Sequence, residues 1–326
     1  MTPPCRFCLL VAALLSISLA ASLAPAADWP EKPVRIIVPY AAGGNSDLIA
    51  RQTAQVLSEA FGRQFIADNR PGANGVIAAE LTAKSAPDGY TLMNAATPQL
   101  AIAPALGKVP YDPVADFAPV SIVATNPFVL VVHRSIPAAN VRDMIRFVRA
   151  HSGELAYATG GNGSISHLAA AMFLRRIDAR AQAVAYKGNA PALADVLAGQ
   201  LPMMFANLSE ALPFAAGGSN LRLLAVTSAA RIAALPGVPT LVESGLRGFE
   251  AGTWNGLVAP ARTPPALIER IAGALQQALR SPAVAKRFTA IGVDPVGGTP
   301  AQFAERIRAD IPLWAEAVRI SGAKNE

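Results

Sequence analysis

Ser164 and His167 stand three residues apart and are of the types that combine in nucleophilic catalysis. The surrounding run, Asn162-Gly163-Ser164-Ile165-Ser166, lacks the Gly-x-Ser-x-Gly elbow that exposes a hydrolytic serine. Ser164 also opens a helix-like segment, where a serine is better placed to cap than to attack. His133 and His151 are the remaining histidines, and the three have no zinc-like spacing. Gly161-Asn162-Gly163 lacks the third glycine of a dinucleotide fingerprint, and no Gly-Lys-Ser/Thr phosphate loop occurs. No catalytic residue, metal or cofactor is expected; a hydrolase using Ser164 and His167 is the enzymatic rival.

Binding chemistry is more evident, in a matched pair of loops. Ala41 to Asp47 and Thr159 to Ser166 each connect a strand-like run to a helix-like one, one loop in each half of the chain. Glycines let several backbone N–H groups converge, and the helix behind each loop starts with unpaired N–H groups and a partial positive end. A carboxylate set there gains charge-assisted hydrogen bonds of about 1.5–3 kcal/mol each. Neither loop contains Lys or Arg, so recognition would rest on amides, water and the hydroxyls of Tyr40, Ser46, Thr159, Ser164 and Ser166. Asp47 is either a ligand acceptor or a first-turn helix acid. Lys187 is either a ligand cation or a solvated loop residue, and Trp254 either pocket wall or core.

The elements that must hold these loops alternate. Strand-like runs are Val34–Val38, Gln64–Ala67 and Tyr90–Met93, with helical segments at Leu48–Phe61 and Val76–Lys84. This βαβαβ order predicts right-handed crossovers and a parallel sheet. A second unit has strands at Phe128–Val132, Leu155–Ala158, Ala183–Tyr186, Met203–Phe205 and Leu221–Val226. Its helices are Val141–His151, capped by Asn140, then Ile165–Arg175 and Ala190–Leu197. Pro264 is read as a first-turn proline of a helix reaching about Arg280. Pro300 opens a last amphipathic stretch through Ile307, Leu313, Trp314 and Val318. The expected division is a first domain of 27–126 and 250–326 with an inserted second domain of 127–249. The chain would cross near Thr125–Phe128 and between Ser228 and Phe249.

The first residues read as a secretory leader, 1–26. Arg6 precedes the apolar run Phe7–Leu19, and Ala24-Pro25-Ala26 supplies a cleavage pattern. Cleavage removes Cys5 and Cys8, so the mature chain would have no thiol, and it would act in the periplasm. The formal charge of +6 falls to +5 without Arg6, and it is not clustered. That excludes a nucleic-acid-binding patch and is compatible with anionic small ligands. Nothing requires an oligomer, and a monomer is expected.

Several motifs resemble one family. Trp29-Pro30-Glu31-Lys32-Pro33-Val34-Arg35-Ile36-Ile37-Val38-Pro39 followed by Gly43-Gly44-x-x-Asp47-x-x-Ala50-Arg51 is similar to the opening of the Bug proteins. Asn69-Arg70-Pro71-Gly72, Ala86-Pro87-Asp88-Gly89-Tyr90, Gly161-x-Gly163-Ser164-x-x-His167-Leu168, Tyr186-Lys187-Gly188, Asn207-Leu208 and Trp254-x-Gly256-Leu257 continue the match to about Trp314. These are the extracytoplasmic solute-binding receptors of tripartite tricarboxylate transporters. The resemblance implies a type II periplasmic binding protein fold, two α/β domains joined by two crossover strands around a ligand cleft. It implies a small carboxylate ligand, whether di- or tricarboxylate, acidic amino acid or aromatic acid, and membrane permease subunits as partners. A sensory component without a transport role is the alternative. The expected ligand contacts are Tyr40, Ala42, Gly43, Gly44, Asn45, Ser46, Asp47, Thr97, Gly160, Gly161, Gly163, Ser164, His167, Lys187, Asn207 and Trp254. Asn45, Ala206 and Asn255 depart from the family pattern near the pocket, so no single family ligand is carried over.

Overall fold

The run Val34-Arg35-Ile36-Ile37-Val38 is buried except at Arg35, the near-continuous apolar reading of a strand covered on both faces. It forms β1 (Val34–Val38) in a computed structural model that describes residues 29–324 apart from 216, 217 and 233. The leader and its two cysteines lie outside the described residues. Helix α1 (Asn45–Phe61) follows, then β2 (Phe65–Asn69), α2 (Val76–Ala83) and β3 (Thr91–Ala96). Strands β2 and β3 flank β1 in parallel, as the βαβαβ order predicts. Past β3 the chain makes a wide turn at Pro98–Ile102 and the short α3 (Ala103–Leu106).

The next strand, β4 (Phe117–His133), is 17 residues long. Its first part pairs antiparallel with β9 (Gly252–Pro260), and its second part with β7 (Met203–Asn207) and β8 (Leu221–Val226). Between β4 and β8 run α4 (Val141–Ala150), β5 (Ala156–Thr159), α5 (Ile165–Arg176), β6 (Gln182–Ala185), α6 (Asn189–Leu197), β7 and α7 (Leu208–Ala211). Strands β5 and β6 are parallel, and β5 also runs parallel to β7. After β9 come α8 (Pro265–Leu279), α9 (Pro282–Ala290), β10 (Asp294–Pro295) and α10 (Pro300–Ser321). The sheet runs β2-β1-β3-β9-β4-β7-β5-β6, with β8 and β10 also pairing β4. This is the two-unit α/β architecture of the type II periplasmic binding fold, with β4 passing from one unit to the other.

Local details differ from the sequence reading. Helix α1 starts three residues early, at Asn45, and β2 extends to Asn69. Pro264 is the residue before α8 rather than in its first turn; Pro265 takes that place. The last helix serves both units. Phe303 and Ile307 pack with Ile37, Met93, Tyr111 and Trp254 of the first. Trp314, Ala317 and Val318 pack with Tyr157, Leu168 and Phe173 of the second. Thr299 and Gln302 form a reciprocal cap at its start. No described helix is long and apolar enough to cross a membrane.

Candidate functional site

The first loop follows β1, and its Ala42, Gly43 and Gly44 are exposed. Gly44 is the residue before α1, so no side chain caps that helix. Its first-turn N–H groups therefore remain open to an acceptor. The loop is held from behind by Asp47. Its Oδ2 accepts from Gly43 N at 2.9 Å and from Arg51 Nε at 2.9 Å, and its Oδ1 from Asn69 Nδ2 at 3.0 Å. Burial pushes this carboxyl up, but these donors and the Arg51 charge outweigh it and hold it below the ordinary aspartate range. The Asp47 carboxylate is thus engaged within the protein, as a latch for the loop.

Ser46 is anchored from below. Asn94 Nδ2 donates to Ser46 Oγ at 3.0 Å and to Asn255 Oδ1 at 3.2 Å, and Ser46 Oγ donates to Asn255 Oδ1 at 3.3 Å. Asn255 was singled out as a departure from the family pattern; here it completes a buried polar knot under the first turn of α1. Tyr40 is fixed in the same way. Its Oη accepts from Gln99 Nε2 at 2.8 Å, while Gln99 Oε1 accepts from Ala96 N at 2.9 Å. Burial lifts the Tyr40 hydroxyl to about 12, with the Gln99 bond opposing, so it stays protonated.

The second loop is stitched by hydroxyls. Gly160 N donates to Ser166 Oγ at 2.8 Å, and Ser164 Oγ donates to Gly161 O at 2.7 Å. Ser164 also caps α5, accepting from His167 N at 3.3 Å. His167 Nδ1 accepts from Gly163 N at 3.1 Å, which puts the ring proton on Nε2. The ring is buried, and burial lowers its pKa below the usual histidine value. Ser164 Oγ thus meets the His167 backbone, and the ring acceptor is taken by Gly163, which leaves no Ser–His dyad. Gly163 has φ 70° and sits against Leu106 of α3, where an added Cβ would lie 2.8 Å from Leu106 Cδ1. At Gly160 a Cβ would fall 2.1 Å from Asn189 Oδ1. Gly188 N reaches Gly160 O at 3.2 Å, so the loop carrying the exposed Lys187 lies against the second loop.

Three expected contacts are buried in internal roles. Trp254 is 1% exposed; its Nε1 donates to Asp310 Oδ2 at 2.6 Å, and its ring meets Phe303 edge-on at 4.9 Å. Thr97 Oγ1 accepts from Trp254 N at 3.3 Å. Asn207 Oδ1 caps α7 by accepting from Ser209 N at 3.3 Å. A cavity of about 690 Å3 joins the first loop to the second unit, lined by Gly43, Gly44 and Asn45 on one side and Ala190, Ser209 and Glu210 on the other. Sequence reading missed Asn94, Gln99 and Glu210. For the first two the signal was present, as lone polar residues inside the apolar runs Met93–Ala96 and Pro98–Ile102.

The family profile described as "Tripartite tricarboxylate transporter family receptor" matches residues 49–320. Protein BugT of Bordetella pertussis is 37% identical over 312 residues, covering 94% of this chain and 95% of that protein. Among solved structures, R. palustris Rpa4515 with adipate is 34% identical with a TM-score of 0.80, covering 91% of this chain and 99% of that one. MatC from Rhodopseudomonas palustris with bound malate is 30% identical with a TM-score of 0.75, covering 89% and 100%. By the profile match over residues 49–320 and the 37% identity to BugT, the chain belongs to the Bug/TctC family of periplasmic solute-binding receptors of tripartite tricarboxylate transporters.

Proposed function

We propose that this receptor captures a small carboxylate between its two strand–helix loops and delivers it to the permease of a tripartite transporter. The observation that carries the reading is the start of α1, an uncapped helix end in an exposed glycine loop. The loop's shape is fixed by Asp47, Asn69 and Asn94, whose groups lie behind it. A carboxylate there meets preformed donors and a favourable dipole. Closure of the second unit adds the Gly160–His167 loop, and only contacts better made in the closed form drive that closure. The solved relatives with adipate and malate support a carboxylate ligand. Action as a monomer in the periplasm completes the reading.

The test is a thermal-shift screen of the chain from Ala27 onward, stripped of ligand by unfolding and refolding, against mono-, di- and tricarboxylates, amino acids and aromatic acids. Ligand at 100 times its dissociation constant adds about 2.7 kcal/mol, which raises Tm by several degrees for a chain of this size. A selective shift with one acid class, with the compound recovered unchanged, is expected. No shift across the panel would remove the carboxylate reading.

A further inference from the structure

Positive charge that is scattered along the sequence is gathered by the fold. Residues 127–249 hold ten Arg and one Lys against six Asp and Glu, whereas residues 27–126 and 250–326 together hold 16 of each sign. The whole net charge of residues 27–326, +5, therefore belongs to the second unit. Six of its arginines, Arg142, Arg146, Arg149, Arg175, Arg176 and Arg180, are exposed and share one end of it. Strand β4 runs antiparallel to β7 and β5 runs parallel to β7, so β4 ends at the end where β5 begins, and α4 joins them there. Helix α5 starts in the second glycine loop and finishes at Arg176, about 18 Å away at 1.5 Å per residue. The arginine end is thus the end remote from the ligand loops.

Hydrogen bonds join these elements into one surface. Arg149 Nε donates to Ile177 O at 2.7 Å, Arg176 Nη1 to Arg247 O at 2.8 Å, and Arg180 N to Ser152 Oγ at 2.9 Å. On α4, Arg142, Arg146 and Arg149 recur at helical spacing, on a face turned away from the buried Val141, Met144 and Val148. Beside them a groove of about 670 Å3 is lined by Arg175 and Arg180 with Asp178, Ser152 and Ser321. Of the six guanidinium groups only that of Arg146 is ion-paired among the described residues, to Asp143 at 3.6 Å. The acids nearby are Asp143, Glu154, Asp178 and two with arginines of their own, Glu243 with Arg231 and Glu316 with Arg319. A positive excess is left facing solvent.

The kind of partner follows from what this end lacks. Among the described residues, the large apolar side chains that stand exposed are Leu48, Ile66, Ile77, Val114, Val296 and Leu313, all in the other unit. Protein interfaces are anchored by large side chains packed into a desolvated centre. Separate, exposed guanidinium groups without an apolar anchor suit a surface of repeated phosphates, whose oxygens the planar guanidinium binds in pairs. We propose that the arginine end of the second unit docks on anionic phospholipid headgroups and holds the receptor against the membrane, with the ligand loops about 18 Å from the contact. The proposal takes from the reading above only that the receptor serves a membrane transporter, and it adds a binding surface outside the ligand cleft.

Flotation of the chain from Ala27 onward with lipid vesicles at low salt makes the test. Vesicles of phosphatidylglycerol and phosphatidylcholine in equal parts are expected to carry at least tenfold more protein than phosphatidylcholine alone. Salt at 1 M, where the screening length is about 3 Å, should release it. Arg142→Gln, Arg146→Gln, Arg175→Gln and Arg180→Gln combined should lower the binding at least tenfold. The control replaces Arg262, Arg280, Lys286 and Arg308, exposed in the other unit, by Gln; it removes the same four charges and should stay within threefold of wild type. Should the first variant fail to fold, Arg142→Gln with Arg146→Gln, on the solvent side of α4, is expected to weaken binding in the same direction. Equal binding to the two kinds of vesicle, or equal loss in the two fourfold variants, overturns the proposal. So does binding to native membrane vesicles alone that protease treatment of those vesicles abolishes, which would assign the face to a protein partner. The carboxylate thermal shift of the same samples is read separately, so lipid docking can fail while the carboxylate receptor stands, and the reverse.

Discussion

At the scale of single residues, the site is built from groups that hold other groups in place. Asp47 latches the first loop, Gln99 fixes Tyr40, and His167 accepts from the Gly163 N–H inside the second loop. The His167 bond gives a pH signature. Burial holds the ring's folded-state pKa below the unfolded value of about 6.5, so the folded state binds fewer protons than the unfolded one. Its contribution is complete above about pH 6.5 and is lost as pH falls below that. Glu210 runs the opposite way, since its raised pKa makes the folded state less stable as pH climbs from about 4.5 toward 7. The two overlap, so the measurement is a difference. The urea-unfolding free energy of wild type minus His167→Gln, followed from pH 7.5 to 5, is expected to fall steadily. A flat difference would show that the ring is not held neutral.

At the scale of elements, most strands and helices were legible, because their apolar periodicity and turn residues agree. Leu221–Val226 is strand β8 as read, and Asn140 caps α4 by accepting from Asp143 N. What escaped was the first part of β4, all of β9 and helix α9. The β4 segment carries prolines at 119 and 127, which ordinarily argue against an inner strand. The fold admits Pro119 beside an irregularity in the β4–β9 register. Strand β9 contains two glycines and an asparagine, and its polar members are inward because Asn255 serves the knot under α1. Of the site, the glycine loops could be read from spacing. The engagement of Asp47, Thr97 and Trp254 could not, because their partners lie 22, 157 and 56 residues away. Helix α10 shows how such distance matters. Trp314, 1% exposed, packs into the second unit from a helix whose start packs in the first. Trp314→Ala is expected to cost about 3–5 kcal/mol in urea unfolding with an unchanged m-value. A loss below about 1 kcal/mol would mean that the helix end is not part of the core.

At the scale of the whole molecule, two units share one long strand and one long helix and meet around a cleft. Small-angle scattering should show a smaller radius of gyration with a tightly bound acid than without it. Reversing a 1:99 open preference takes about 5.5 kcal/mol of differential binding, within reach if the second loop's contacts exist only in the closed form. An unchanged radius with saturating ligand would exclude the clamshell motion. The strand order has a further consequence for how the protein comes into being. Strand β9, residues 252–260, lies between β3 and β4. A chain leaving the ribosome N-terminus first therefore exposes the edge of β3 until more than three-quarters of it has been made. One of the two apolar clusters of the second unit, in turn, is completed only by Trp314 near the very end, while the other lies wholly within residues 129–238. The central sheet is therefore completed late in synthesis, and the first unit keeps an open strand edge for most of the time that the chain is being made.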